Sequence, residues 1–168
     1  MTKAEAYEFI DREYKKKTHD YTDLFSAVMK VGGIFGSDFA MQILSECVVA
    51  KKTTWLDKHL HRIRRSDDPF DDVIRILYQD YMGLRQKEDF VVAERTSDKL
   101  VIKCWNFCPV LEACQKLNLN TKDVCQKAYH EWVQVFVQRL DSGLYFARDY
   151  NKIRPHCNCC EEIYTKRG

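Results

Sequence analysis

Phe90-Val91-Val92-Ala93-Glu94-Arg95-Thr96-Ser97-Asp98-Lys99-Leu100-Val101-Ile102-Lys103-Cys104-Trp105 is the stretch whose reading decides the fold. Phe90 to Thr96 and Lys99 to Trp105 are rich in β-branched and aromatic residues, and Ser97-Asp98 between them is a turn pair, so the two runs predict a β-hairpin. Side chains alternate along a strand, which sets Leu100, Ile102 and Cys104 on one face of the second run.

Upstream of Phe90 the apolar spacing is helical. Thr2-Lys3-Ala4-Glu5 has the form of a capping box before Tyr7, Ile10 and Tyr14. Leu24, Phe25, Val28 and Met29 mark a second helix that meets Gly32-Gly33. Ser37 caps a third, with Ala40, Ile43, Leu44, Cys47 and Val48 on one side. Thr54 precedes a further segment through Trp55, Leu56, Leu60 and Ile63. Asp68-Pro69 starts the clearest helix, with Phe70, Val73, Ile74, Leu77, Tyr78 and Tyr81 as its stripe and Gly83 as its stop. Downstream, Pro109 opens a helix through Leu111 and Leu117. Asn120 caps a longer one carrying Val124, Cys125, Ala128, Tyr129, Trp132, Phe136 and Leu140. Leu144 to Tyr150 and Cys160 to Thr165 read as two closing strands around Arg154-Pro155. The expected architecture is α+β, with N-terminal helices packed against a C-terminal antiparallel sheet and two inserted helices. A length of 168 residues predicts a single domain over 1–168, with a helical half at 1–87 and a cysteine-bearing half at 88–168.

Composition narrows the function classes. Basic and acidic side chains number 27 and 25, giving a net charge of +2, so no overall field holds a polyanion. The local run Lys58-His59-Leu60-His61-Arg62-Ile63-Arg64-Arg65 is followed at once by Asp67, Asp68, Asp71 and Asp72, which reads as a solvated helix face rather than a nucleic-acid contact. No apolar run nears the roughly 20 residues of a membrane span. The opening Met1-Thr2-Lys3-Ala4-Glu5 has no apolar core of a secretory signal. The expectation is a cytoplasmic chain whose partner is a small-molecule ligand or substrate, with no nucleic acid and no membrane, and with a homodimer left open.

In a reducing compartment the 8 cysteines are thiols or metal ligands rather than disulfides. Cys47 stands alone, whereas Cys104, Cys108, Cys114, Cys125, Cys157, Cys159 and Cys160 crowd the second half. Cys108 lies where a strand runs into a helix, directly before Pro109, and a thiol at a helix start is biased toward thiolate. Cys125 points inward from the apolar face of the next helix. Alternation sends Cys159 and Cys160 to opposite faces. Three thiolates leave an open metal position and four close a structural zinc site, although C-x₃-C, a lone Cys and C-x₂-C match no standard zinc or cluster spacing. Cys47 and Cys114, each alone on a helical face, read as core packing.

The stretch Val101-Ile102-Lys103-Cys104-Trp105-Asn106-Phe107-Cys108-Pro109, then Val124-Cys125, then Arg154-Pro155 with Cys160-Glu161-Glu162, resembles the C-terminal signature of two related groups. These are the L-2-amino-thiazoline-4-carboxylic acid hydrolase-like family and the 4-vinyl reductase-type ligand-binding domain. The resemblance spans about residues 88 to 166 and implies N-terminal helices plus an antiparallel sheet, a fold shared with haem-type nitric oxide sensors and a vesicle-tethering subunit. It also implies a metal held by cysteines at a strand end, in the following helix and at the last strand, where Cys104, Cys108, Cys125, Cys157 and Cys160 fall. The turn Arg154-Pro155-His156-Cys157-Asn158 lacks the glycine usual in that pattern.

Three mechanisms stay open. Zn²⁺ on Cys108, Cys125 and Cys160 would activate a water to open a C–N or C–S bond of a small carboxylated compound. An iron–sulfur cluster on the same sulfurs would bind substrate at an unligated iron. Without metal, Cys108 would attack directly, with His130 or His156 as base. His130 and Glu161 are the proton carriers, and Arg148 and Arg154 the substrate-carboxylate clamps. Trp105, like Trp132, either fills the core or walls a pocket. The plain reading of His130, next to Glu131, is a surface residue. His59 and His61 are two apart on a helix and do not pair. The rival to a hydrolase is a non-catalytic metal-containing binding or sensor domain, since fold does not fix function.

Overall fold

The computed structural model describes residues 1–167. Helix α1 (Lys3–Lys15) starts at the expected capping box: the Thr2 hydroxyl accepts the Glu5 amide at 3.2 Å, and the Glu5 carboxylate accepts the Thr2 N–H at 2.6 Å. Helices α2 (Thr22–Phe35) and α3 (Ser37–His59) follow. The separate segment expected after Thr54 is instead the end of α3, which continues into a 3₁₀ turn at Leu60–Arg62. Threonine lowers helix propensity by only a fraction of a kcal/mol, and no glycine or proline lies between Ser37 and Asp68 to stop the helix.

The chain groups into two compact units that interleave in sequence. The first joins Met1–Lys52 to Cys108–Trp132. It holds α1, α2, the start of α3, α5 (Pro109–Lys116) and α6 (Thr121–Val124), which runs through π-helical turns at Cys125–Tyr129 into α7 (His130–Leu140). Asn120 caps α6 by accepting the amides of Lys122 and Asp123 at 3.0 and 3.3 Å. The core of this unit is Ile10, Phe25, Val31, Leu44 and Val48, all fully buried. Burying one such side chain contributes roughly 1.5–3 kcal/mol. Tyr14, Tyr21, Phe25 and Tyr129 form a run of rings 6.4 to 6.5 Å apart. Cys47 and Cys114 lie in this core as expected, and burial pushes each thiol up to about 11.

The second unit comprises Thr53–Phe107 and the chain from Val133 onward. Asp68 caps α4 (Pro69–Asp72) by accepting the Phe70 amide at 2.9 Å, with Pro69 at the first position. The helix then widens into π-helical turns over Val73–Tyr81. Gly83, at φ +67, takes the chain out of it. Four strands complete the unit: β1 (Phe90–Arg95), β2 (Lys99–Cys104), β3 (Leu144–Arg148) and β4 (Cys160–Lys166). They form one antiparallel sheet in the order β1-β2-β4-β3, with a register shift between Val92 and Glu94. The fold is therefore α+β, and the hairpin expected from Phe90 to Trp105 is its first pair of strands.

Register decides which residues share a face of this sheet. Phe90 pairs with Cys104, Cys104 with Cys160, Ile102 with Glu162, Leu100 with Tyr164, Phe146 with Tyr164, and Arg148 with Glu162. All point the same way, and most are buried. Tyr78, from the π-helical turns, packs on this face with its ring 5.0 Å from Phe90 and 6.3 Å from Tyr164. A second anchor is Asp72, fully buried, whose carboxylate takes Arg65 Nε at 2.7 Å, Arg75 at 2.9 Å and the Ser66 amide at 3.0 Å. That single side chain ties the connection after α3 to α4. Among the described residues no helix is long and apolar enough to cross a membrane.

Candidate functional site

The buried face of the sheet is aliphatic and aromatic toward Leu100 and Leu144 but polar at the Cys104 end. There β2 and β4 set Cys104 and Cys160 directly opposite each other, 56 positions apart in sequence. The Cys104 thiol donates to the Cys160 carbonyl oxygen at 3.7 Å, and its sulfur also interacts with that of Cys160. The consequences for the two thiols are opposite. Donation from Cys104, then the main-chain N–H, side-chain bond and positive charge of Arg154, outweigh burial and lower the Cys160 thiol to about 5. Cys104, which gives its proton to that bond and is buried near Glu162, is raised far above the ordinary thiol range. Coupled sites titrate as a pair, and within this pair Cys160 is the member biased toward thiolate while Cys104 is the one biased to keep its proton.

Arg154 is held in place for this role. Its Nη1 donates to the Asn106 carbonyl at 2.6 Å, which fixes the loop before β4 to the end of β2. One turn of the pleat further along β4, Glu162 is almost fully buried and accepts from Arg148 and from the Tyr78 hydroxyl, with Tyr164 at 3.3 Å. The two hydroxyls lie 2.8 Å apart. Burial, then the negative charge of Glu162, holds both phenols well above their usual range. Four polar or charged side chains thus stand behind the sulfur pair, in positions where aliphatic residues would pack most simply.

The residues singled out from sequence distribute as follows. Cys104, Cys160 and Arg154 come together. Arg148 belongs to the same buried cluster, but its partner is Glu162 rather than an open position for a substrate carboxylate. Alternation turns Glu161 to the other face of β4, where Lys103 is 3.8 Å away, and Glu162 is the carboxylate that shares Cys160's face. Trp105 directly follows the end of β2. It is 40% exposed, and its ring N–H donates to the Glu88 carbonyl at 2.5 Å, so it fastens the hairpin to the preceding loop rather than filling the core. Cys157 is half-buried in the turn before β4, with its amide bonded to the Ile153 carbonyl at 3.1 Å.

Cys108, Cys125 and His130 belong to the first unit. Cys108 is the N-cap of α5, and its sulfur accepts the Leu111 amide at 3.5 Å, as its place before Pro109 implied. Cys108 and Cys125 both act electrostatically on Tyr129, whose buried hydroxyl has no hydrogen-bond partner among the described residues. His130 lines a groove of about 560 Å³ with Asp38, Gln42, Ser45, Lys127 and Glu131.

Zinc or an iron–sulfur cluster on Cys104, Cys108, Cys125, Cys157 and Cys160 does not fit this arrangement. Among the described residues, no three His, Cys, Asp or Glu side chains are grouped so as to hold a metal ion. Cys108 and Cys125 belong to the first unit, and Cys104, Cys157 and Cys160 to the second. Cys104 and Cys160 face each other across two strands, Cys108 caps a helix, and Cys157 sits in a tight turn.

Sequence reasoning missed Tyr78, Glu162 and Tyr164. Glu162 was within reach, because Cys160 and Glu162 are two apart in a strand and must share a face. Tyr78 carried only a helical-stripe signal. Compared with protein-family models, curated proteins and solved structures, the chain gives no match.

Proposed function

We propose that the protein is a thiol-dependent, hydrolase-like enzyme of the cytoplasm whose nucleophile is Cys160, acting on a small carboxylated compound at a C–N or C–S bond. The observation that carries this reading is the triad of donors around one sulfur: the Cys104 thiol and the main-chain and side-chain N–H groups of Arg154. A thiolate is the attacking form of cysteine, and it is stabilised by hydrogen bonds and positive charge of this kind. The reading takes Cys160 in place of Cys108 and needs no metal.

In this mechanism the Cys160 thiolate attacks the electrophilic carbon, and the bond from that carbon to nitrogen or sulfur breaks. The leaving group takes a proton from water. A second water then cleaves the bond between carbon and Cys160, releasing the product acid and restoring the thiol pair. Arg154 steadies the resting thiolate, and its positive charge lies where a substrate carboxylate is attracted. The role of Cys104 is to keep its proton and donate it to the sulfur opposite. Glu162, Tyr78 and Tyr164 hold Arg148 and the end of the sheet rigid behind the pair.

The test is alkylation by iodoacetamide followed residue by residue with peptide mass spectrometry. At pH 6 a thiol near 5 is almost wholly thiolate, whereas one near about 8.5 is roughly 0.3% thiolate. The lower basicity gives back a factor of roughly 25–50 in intrinsic nucleophilicity, so Cys160 should react about five- to tenfold faster than an ordinary exposed thiol. Replacement of Arg154 by Gln should erase that advantage. Thiol release from a cyclic thiazoline carboxylate, lost in Cys160→Ser, tests the reaction class. Equal rates at Cys157, Cys159 and Cys160 at pH 6 would sink the reading.

A further inference from the structure

We infer that Cys104 and Cys160 are a redox-active dithiol that closes into a cross-strand disulfide, and that low-molecular-weight disulfides are a second class of substrate for this site. The inference rests on the reading of Cys160 as a nucleophile and extends it to a different electrophile. It stands on three facts of placement. The two residues are direct partners in the register of β2 and β4. Directly opposed residues of an antiparallel pair have Cα atoms about 4.5–5.5 Å apart, inside the range a disulfide spans. The Cys104 thiol already touches Cys160, 3.7 Å from its carbonyl oxygen, and both side chains lie on the same face of the sheet.

The reaction balances without further reagents. The Cys160 thiolate attacks one sulfur of R–S–S–R, and the sulfur–sulfur bond breaks to release RS⁻, which takes a proton from water. Cys160 now carries the other RS group. Cys104 then gives its proton to water and attacks the Cys160 sulfur, expelling the second RS⁻. The sum is one small disulfide reduced to two thiols and one protein dithiol oxidised to a disulfide.

The same contacts that differentiate the sulfurs make the second step feasible. What holds the Cys104 proton in the resting pair is first its bond to the Cys160 thiolate, with burial next and the charges of Glu162 and Cys160 after that. Once Cys160 is in a mixed disulfide, its charge is gone and that bond is lost. Cys104 becomes easier to ionise when it is needed as the resolving thiol. In the reverse direction, an outside thiolate that attacks the Cys104 sulfur expels Cys160 as a thiolate, which Arg154 stabilises. The pair is thus more readily reduced than a structural disulfide. A further outcome is regulatory: with its sulfur bonded to Cys104, Cys160 is no longer a thiolate and cannot attack carbon in the hydrolytic reaction.

The experiment uses the full chain and glutathione disulfide under anaerobic conditions, with peptide mapping and quantitation of released glutathione. The wild type should yield a linked Cys104–Cys160 peptide lighter by two hydrogens and should release two glutathione molecules per chain. Cys104→Ser should stop at the first step, with glutathione retained on Cys160 and one molecule released. The wild-type measurement stands whether or not that variant folds. A wild type that keeps glutathione on Cys160, or that links Cys160 to Cys157 or Cys159 instead, would overturn the inference. The two readings separate cleanly: rapid iodoacetamide reaction at Cys160 with no Cys104–Cys160 linkage removes the redox inference alone, whereas slow reaction with both reagents removes both.

Discussion

Replacing Glu162 by Gln tests the buried cluster behind the sulfur pair. The Glu162 and Arg148 side chains are 9% and 12% exposed, so water screens the ion pair little. The amide is nearly isosteric and keeps one acceptor for Tyr78, so the change removes charge with almost no change in volume. It leaves the Arg148 guanidinium buried without its counter-ion, and breaking a buried pair from one side costs about 3–5 kcal/mol. In a chain of this size a loss of that order lowers the melting temperature by roughly 6–20 °C. Far-UV circular dichroism on heating and in urea measures it. The partner experiment is the double variant Glu162→Gln with Arg148→Met, in which neither charge remains. Much of the loss should return, because the larger part of the single-variant cost is the stranded arginine rather than the missing attraction. A single variant within about 1 kcal/mol of wild type, or a double variant that loses the sum of two singles, would refute this account of how the sheet end is held.

Lowering the pH should reveal Cys160. Its folded-state pKa is depressed, so its contribution to stability is full above the ordinary thiol range and is lost as pH falls toward about 5. Wild type should therefore lose more stability than Cys160→Ser between about pH 8.5 and 5 in paired urea titrations, and parallel curves would contradict the assignment. Asp72→Asn should cost about 1–3 kcal/mol, since Arg65 and Arg75 are partly solvated and only the carboxylate is deeply buried. Hydrogen exchange should localise that loss to the Ser66 region. Asn120→Ala removes the acceptor for two amides at the start of α6 and should cost about 1 kcal/mol by chemical denaturation.

Local signals in the sequence reported local structure well. Thr2 with Glu5, Asp68 with Pro69, Pro109 and Asn120 all mark helix starts where the chain starts helices, because a cap is a contact across two or three residues. The hairpin was readable for the same reason. Thr54 misled, because a residue that can cap also tolerates a helix interior when nothing else breaks it. The site was half readable. Cysteine crowding pointed to the second half, and strand parity could have chosen Glu162 over Glu161. Parity says nothing of which strand lies opposite, however, and only register sets Cys104 against Cys160. Tyr78 is 84 positions from Glu162, and no spacing rule connects a helical stripe to a particular strand residue at that range.

The strand order β1-β2-β4-β3 has a consequence for how the protein is made. Strand β3 leaves the ribosome before β4 yet borders only β4, so it has nothing to zip onto when it emerges. Until the later segment slots between its two neighbours, β2 presents a bare ladder edge of amides and carbonyls, with Cys104 at its tip. Nascent chains would therefore be sticky and chemically incomplete at the same time, and a holding chaperone that shields that edge would guard both the sheet and the thiol.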